Sequence, residues 1–138
     1  MEKVLRAAKY IRVSTDEQAL HGYSLPAQND TLNEYCQEKG YKIVGDYVDD
    51  GVSAGKSPWK RPAMKQLLKD VEAGKIDVVV FTKLDRWFRD VADYYKVQEV
   101  FERHNVVWHA VLEHYDTTTA DGRLKVNIML SVAANERE

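Results

Sequence analysis

The sequence predicts an α/β fold, a mainly parallel sheet of four to five strands with helices on both faces. Three features predict it. Short β-branched and apolar runs alternate with longer segments whose apolar residues recur every three or four positions. The links between these segments are short, which favours parallel strands joined by helical crossovers. The run Ile76-Asp77-Val78-Val79-Val80-Phe81-Thr82 is rich in β-branched residues, as suits a strand covered on both faces at the centre of a parallel sheet.

Each element has its own signal. Arg6–Val13 reads as the first strand. Ser24 can cap a helix over Leu25–Lys39, with Leu25, Leu32, Tyr35 and Cys36 on one face and Gly40 as its stop. Tyr41–Val48 is a second, half-alternating strand, and DDGVSAGKSPWK a long loop rich in Gly, Ser and Pro. A helix follows from about Arg61. Pro62 suits its first turn, Met64, Leu67, Leu68 and Val71 form its apolar stripe, and Gly74 ends it. Ile76–Thr82 is the third strand. The next helix covers Asp90–His104, with Tyr94, Val97, Val100 and Phe101 facing inward, and Val106–Leu112 is the fourth strand. After EHYDTTTADG a last helix starts near Asp121 and still shows Leu124, Ile128 and Val132 as the sequence ends.

The totals narrow the class. With 138 residues the chain suits one domain with a real core. No apolar run approaches the ~20 residues of a membrane span, and MEKVLRAAKYIRV lacks the apolar core of a signal peptide, so a cytoplasmic protein is expected. The single cysteine, Cys36, sits in the apolar helical stripe and reads as a small core residue. His21, His104, His109 and His114 show no metal spacing, and no metal site is expected. Net charge is −2, short of the basic excess of an electrostatic DNA binder. The basic residues are nonetheless clustered. Lys56, Lys60, Arg61 and Lys65 occur between Val52 and Gln66 without an acid, and KLDRWFR carries Lys83, Arg86 and Arg89 against Asp85 alone.

In a parallel sheet, ligands bind outside the carboxyl ends of the strands. Three unusual segments fall there: Ser14 after the first strand, Asp49–Lys60 after the second, and Lys83–Arg89 after the third. In Tyr10–Gln18, YIRVSTDEQ, extended geometry points Arg12 and Ser14 the same way. In LDRWFRD, helical spacing gathers Asp85, Arg86 and Arg89 on one side. The rim then offers a hydroxyl, several guanidiniums and one carboxylate. Guanidiniums bind phosphate oxygens bidentately and stay charged at any relevant pH, so this set suits phosphoryl transfer with Ser14 attacking phosphorus. Each member also has a plainer reading. Ser14 and Glu17 match a capping box, Arg12 can pair with a carboxylate, Asp85 can cap a helix, and Arg61 can be a surface residue beside Pro62. Trp59 and Trp87 read as packing residues, with base or sugar contact open.

These residues resemble a known family. YIRVSTDEQ resembles the signature of serine recombinases, the resolvase/invertase superfamily, and KLDRWFRD looks like its K-L-D-R-[hydrophobic]-x-R-[DS] segment. GYSLPAQ, the Tyr35–Gly40 pattern, DDGVSAGK, RPAM and AANERE match in the same order along essentially the whole chain. GYSLPAQ is most similar to the large serine recombinases of phages and conjugative transposons.

The resemblance implies a resolvase-like catalytic domain that ends in the start of a long helix, truncated there, with separate DNA-binding domains absent. It implies that Ser14 attacks a double-stranded DNA phosphodiester to give a 5′-phosphoserine link and a free 3′-hydroxyl, with strand exchange and rejoining that need neither ATP nor metal. Arg12, Arg86 and Arg89 would surround the scissile phosphate, Gln28, Arg61, Gln18 and Lys83 would support it, and Asp85 would take part in proton transfer. Among arginines a carboxylate is held ionised, which suits a base or an orienting group better than an acid. Glu136 and Arg137 match the pair on the helix where subunits meet, as a homodimer and then a synaptic tetramer on attachment or transposon-end sites. A bacterial or phage-encoded, nucleoid-associated protein is expected. Phe88 departs from the small residue that many relatives carry there.

Rival readings draw on the same rim. In one, Asp49, Asp50 and Asp85 hold Mg²⁺ in a nuclease. In another, Asp49, Asp50 and Lys83 form a receiver-like phosphoacceptor pocket, which draws on more strands in a different order. A nucleotide-binding module lacks both G-x-G-x-x-G and a P-loop here.

Overall fold

The residues RAAKYIRV form β1 (Arg6–Val13), whose side chains are buried from its second residue onward. A strand covered on both faces and paired on both edges lies at the centre of a sheet, and β1 does. It runs parallel to β2 (Lys42–Asp50) on one side and to β3 (Val78–Phe81) on the other, and β4 (Val107–Ala110) continues beyond β3. The order is β2-β1-β3-β4 in this computed structural model, which describes residues 4–13, 25–51, 57–83 and 91–113, with 124, 125 and 128.

Alternation along β1 divides the core in two. Ala7, Ile11 and Val13 face α1 (Leu25–Lys39), packing with Leu32 and Cys36. Ala8 and Tyr10 face the opposite layer, built from α2 (Pro62–Glu72) and α3 (Val91–Arg103), with Leu67, Val97 and Trp108 among its members. In α2, Met64, Leu67 and Val71 have no exposed surface, and each such side chain contributes about 1.5–3 kcal/mol by leaving water. Cys36 is a buried free thiol in the α1 layer, and burial pushes its ionisation up.

The element boundaries expected for β1 and α1 hold, and the other differences have local causes. β3 starts at Val78 because Asp77 is engaged with Arg6: its carboxylate accepts from the Arg6 backbone amide at 2.9 Å and from Nε and Nη2 at 3.0 and 3.1 Å. β2 runs two residues past the expected Val48, because Asp49 and Asp50 pair with Arg12 and Val13. Its register jumps between Ala7 and Ala8, whose partners are Ile43 and Gly45, which leaves Val44 as a bulge. A Cβ on Gly45 would lie 2.7 Å from Tyr47 Cε2, so any side chain there must displace the Tyr47 ring.

The layers also fix where a ligand can sit. The chain leaves β1 for α1 on one face and leaves β3 for α3 on the other. The carboxyl ends of β1 and β3 thus flank a topological switch point, the crevice where open α/β sheets bind ligands. Among the described residues no helix is long and apolar enough to cross a membrane. Beyond β4, residues 124, 125 and 128 are helical, with Leu124 and Ile128 exposed.

Candidate catalytic rim

Tyr10 and Arg12 project from the same face of β1, at the end that leads to the switch point. Their neighbour on β2 is Asp49, which pairs in register with Arg12. The Tyr10 hydroxyl donates to Asp49 Oδ2 at 2.8 Å and accepts from Arg61 Nη1 at 3.4 Å. The same carboxylate accepts from the backbone amides of Ala63 at 2.8 Å and Met64 at 3.1 Å. These are amides of the first turn of α2, whose own N-cap residue, Arg61, makes no side-chain cap. Asp49 therefore caps α2 from another strand, a charge placed where the helix dipole favours it.

All four side chains of this cluster are inside the protein: Tyr10 and Arg61 are 0% exposed, Arg12 1% and Asp49 2%. Burial raises the Tyr10 hydroxyl well above its ordinary range. The Arg61 cation opposes that shift and Asp49 adds to it. Tyr10 consequently stays protonated at neutral pH, as its role as donor to Asp49 requires. The cluster places two desolvated cations behind the crevice, where the low dielectric lets their charge reach further than it would in water.

The α1 side adds a second polar set. Gln28, 2% exposed, donates from Nε2 to the Arg12 backbone oxygen at 3.3 Å. Lys9, 4% exposed, gives Nζ to Asn29 Oδ1 at 2.7 Å, Asn33 Oδ1 at 2.6 Å and Asp46 Oδ1 at 2.8 Å. A buried ammonium needs such acceptors. Lys9 thereby ties β1 to α1 and β2 together, and α1 carries Gln28 to the end of β1.

Of the residues expected at the rim, Arg12, Arg61, Asp49 and Gln28 come together as described. Arg61, open to a surface reading from sequence, is fully enclosed. Lys83 is exposed just past the end of β3. Ser14, Gln18, Asp85, Arg86 and Arg89, and the interface residues Glu136 and Arg137, lie outside the described residues. In the chain, Ser14 directly follows the last residue of β1, and the Asp85–Arg89 run follows Lys83. Tyr10 and Lys9 escaped the sequence reading. The available signals were the two-residue spacing of Tyr10 and Arg12, and Asn29 and Asn33 one helical turn apart.

The same geometry weakens the rival readings. Asp49 and Asp50 are consecutive in a strand, so their side chains leave opposite faces, one buried and one exposed. Asp49 moreover receives three hydrogen bonds, which leaves little of its carboxylate for a cation or an incoming phosphoryl group. The strand-order argument against the receiver-like reading fails, because β2-β1-β3-β4 also begins the five-stranded order of that class. What tells against that reading is the enclosure of Asp49.

Comparison with known proteins points one way. Residues 7–138 match the family model described as Resolvase, N terminal domain. The chain is 31% identical over 131 residues to the Transposon Tn917 resolvase of Enterococcus faecalis, covering 94% of this chain and 61% of that protein. It is 29% identical over 136 residues to the probable DNA-invertase y4cG of Sinorhizobium fredii, covering 96% of this chain and 43% of that one. The crystal structure of the N-terminal catalytic domain of TP901-1 integrase superposes with a TM-score of 0.77 at 36% identity, covering 96% of each chain. The chain thus spans less than two thirds of the length of both curated relatives.

Proposed function

Because the chain belongs to the family of resolvase N-terminal domains, we propose that it is the catalytic domain of a serine-type site-specific DNA recombinase. Ser14 is its nucleophile. The Ser14 oxygen loses its proton and attacks the scissile phosphorus, the 3′-oxygen leaves and takes up a proton, and a 5′-phosphoserine bond replaces the phosphodiester. Rejoining reverses each step with a new 3′-hydroxyl, so the bond energy is conserved and no nucleotide is consumed. Arg12, Arg86 and Arg89 neutralise the non-bridging oxygens. Asp85 takes the part of a base or an orienting group. Gln18 and Lys83 support the phosphate. Gln28 holds the end of β1, and Arg61 contributes its charge from beneath. Glu136 and Arg137 belong to the subunit contact of a homodimer that pairs on duplex DNA into a synaptic tetramer.

One observation carries this reading: the switch point. Parallel pairing of Ala7, Ala8 and Lys9 with Val78, Val79 and Val80 makes β1 and β3 neighbours, with β1 running on to Val13 and β3 to Phe81. The chain continues from those ends into the Ser14 segment and the Asp85–Arg89 segment. The test uses the full-length protein and its cognate site in EDTA. A covalent protein–DNA adduct is expected from the parent and none from Ser14→Ala. An adduct that persists in Ser14→Ala, or cleavage that needs Mg²⁺, overturns the reading.

A further inference from the structure

Trp59 is 41% exposed although the residues on either side of its turn are not. It sits in a short 3-10 turn, Pro58–Lys60, that leads into α2. Pro58 is buried, and Arg61 is fully enclosed with its guanidinium on the Tyr10 hydroxyl. The turn is closed by Lys60 N to Ser57 O at 2.9 Å and Arg61 N to Pro58 O at 3.2 Å. The turn therefore holds part of the indole out to solvent between Pro58 and Arg61, which are both buried. Lys60 and Lys65 are exposed on the same turn and on the first turn of α2. The described salt bridges engage Arg6, Lys9 and Lys75 and neither of these lysines. No acid occurs in the sequence between Val52 and Gln66. Asp49, at the end of β2, is buried under Tyr10 and the α2 amides.

We propose that Trp59, Lys60 and Lys65 form a ridge that grips the sugar–phosphate backbone of duplex DNA beside the switch point. The proposal rests on the recombinase reading and adds a contact surface to it. The ridge lies at the carboxyl edge because Asp49, at the end of β2, caps the helix on which Lys65 sits. The two lysines supply charge to phosphates, and the indole supplies an apolar wall for the sugars. A chain of net charge −2 needs such local concentration if it is to meet a polyanion at all.

The test measures binding of a mixed-sequence DNA duplex by fluorescence anisotropy across a range of salt concentrations, with the full-length protein. Three variants are compared with the parent: Lys60→Ala/Lys65→Ala, Trp59→Ala, and the charge-matched Lys39→Ala/Lys42→Ala at the opposite, amino edge of the sheet, where both lysines are exposed. At about 0.9 per phosphate contact, loss of both ridge lysines lowers the slope of log K against log salt by roughly 1.8. Trp59→Ala weakens binding several-fold at every salt concentration without changing the slope. The amino-edge pair leaves slope and affinity near the parent's. The four lysines are exposed, and melting temperatures of all variants are checked alongside so that affinity is compared only between folded proteins. Equal effects of the two lysine pairs, or no effect of the ridge pair, overturn the proposal. If that happens while Ser14→Ala still abolishes the adduct, the ridge falls and the recombinase reading stands.

Discussion

Replacing Asp49 tests whether the rim is built around one buried carboxylate. In Asp49→Ala the amides of Ala63 and Met64 lose their cap, and the Tyr10 hydroxyl loses its acceptor in a site without water access. Loss of a helix N-cap costs about 0.5–2 kcal/mol. A buried donor left unsatisfied costs about 1–3 kcal/mol. Together these give about 1.5–5 kcal/mol for Asp49→Ala, a large share of the roughly 5–15 kcal/mol that holds a domain folded. Asp49→Asn keeps the shape and one acceptor oxygen but turns donors toward donors, so about 1–3 kcal/mol is expected. Urea unfolding followed by circular dichroism reads both, as a lower midpoint at unchanged slope. A double variant, Asp49→Ala with Tyr10→Phe, removes the stranded hydroxyl and recovers part of the loss, so the two changes are not additive. Losses under about 1 kcal/mol for Asp49→Ala, or strict additivity with Tyr10→Phe, would refute the reasoning.

Other outcomes follow from the same contacts. Lys9→Met strands the Asn29 and Asn33 oxygens and lowers stability by about 1–3 kcal/mol, whereas Asp46→Asn, at a 61% exposed partner, changes it by less than about 1 kcal/mol; the same urea titration separates them. Gly45→Ala drives a methyl into the Tyr47 ring and costs about 1–3 kcal/mol, and the cost shrinks in a Tyr47→Ala background. Burial raises Tyr94 to about 12, chiefly by desolvation, and raises Tyr10 and Tyr47 in the same direction. The folded chain therefore holds these protons more tightly than the unfolded one. Their contribution is complete below the ordinary tyrosine value of about 10 and is lost as pH rises through the folded values. Tyrosinate absorbance and circular dichroism should change together on alkaline titration; ionisation of all three with the fold intact would contradict the burial argument.

The parts of the fold legible in the sequence were those written in local periodicity. β1 starts and stops at the expected Arg6 and Val13, α1 follows its apolar stripe to the glycine stop, and the run Val78–Phe81 is buried throughout, as its β-branched composition suggests. Contacts between distant segments were not legible. Asp49 caps α2 across 14 residues of chain, and a cap supplied from another strand leaves no signature beside the helix. Nothing local told whether Arg61 is a surface residue beside Pro62 or part of the rim; its enclosure depends on Tyr10, 51 residues earlier. Lys9 had no reason to be buried until Asn29, Asn33 and Asp46 were gathered around it. Sequence pattern reports which face is apolar. It does not report which polar groups on that face have found one another.

The distribution of polarity along β1 links the fold to the chemistry. On the face toward α2 and α3 the strand runs from Ala8 through Tyr10 to Arg12, so it becomes more polar toward the switch point. Ordinarily a buried guanidinium is a poor choice, since desolvating it costs several kcal/mol that its partners only partly return. The arrangement makes sense if the cation is wanted for its field. The second enclosed arginine, Arg61, donates to the Tyr10 hydroxyl, which donates to Asp49, so this cation is already held in place when negative charge develops nearby. Tyr10 joins the two charges: its hydroxyl accepts from Arg61 and donates to Asp49, which lies level with Arg12 on the neighbouring strand. By linking Arg61, at the approach to α2, with Asp49, at the end of β2, the Tyr10 hydroxyl fixes both groups beside the crevice before any substrate arrives.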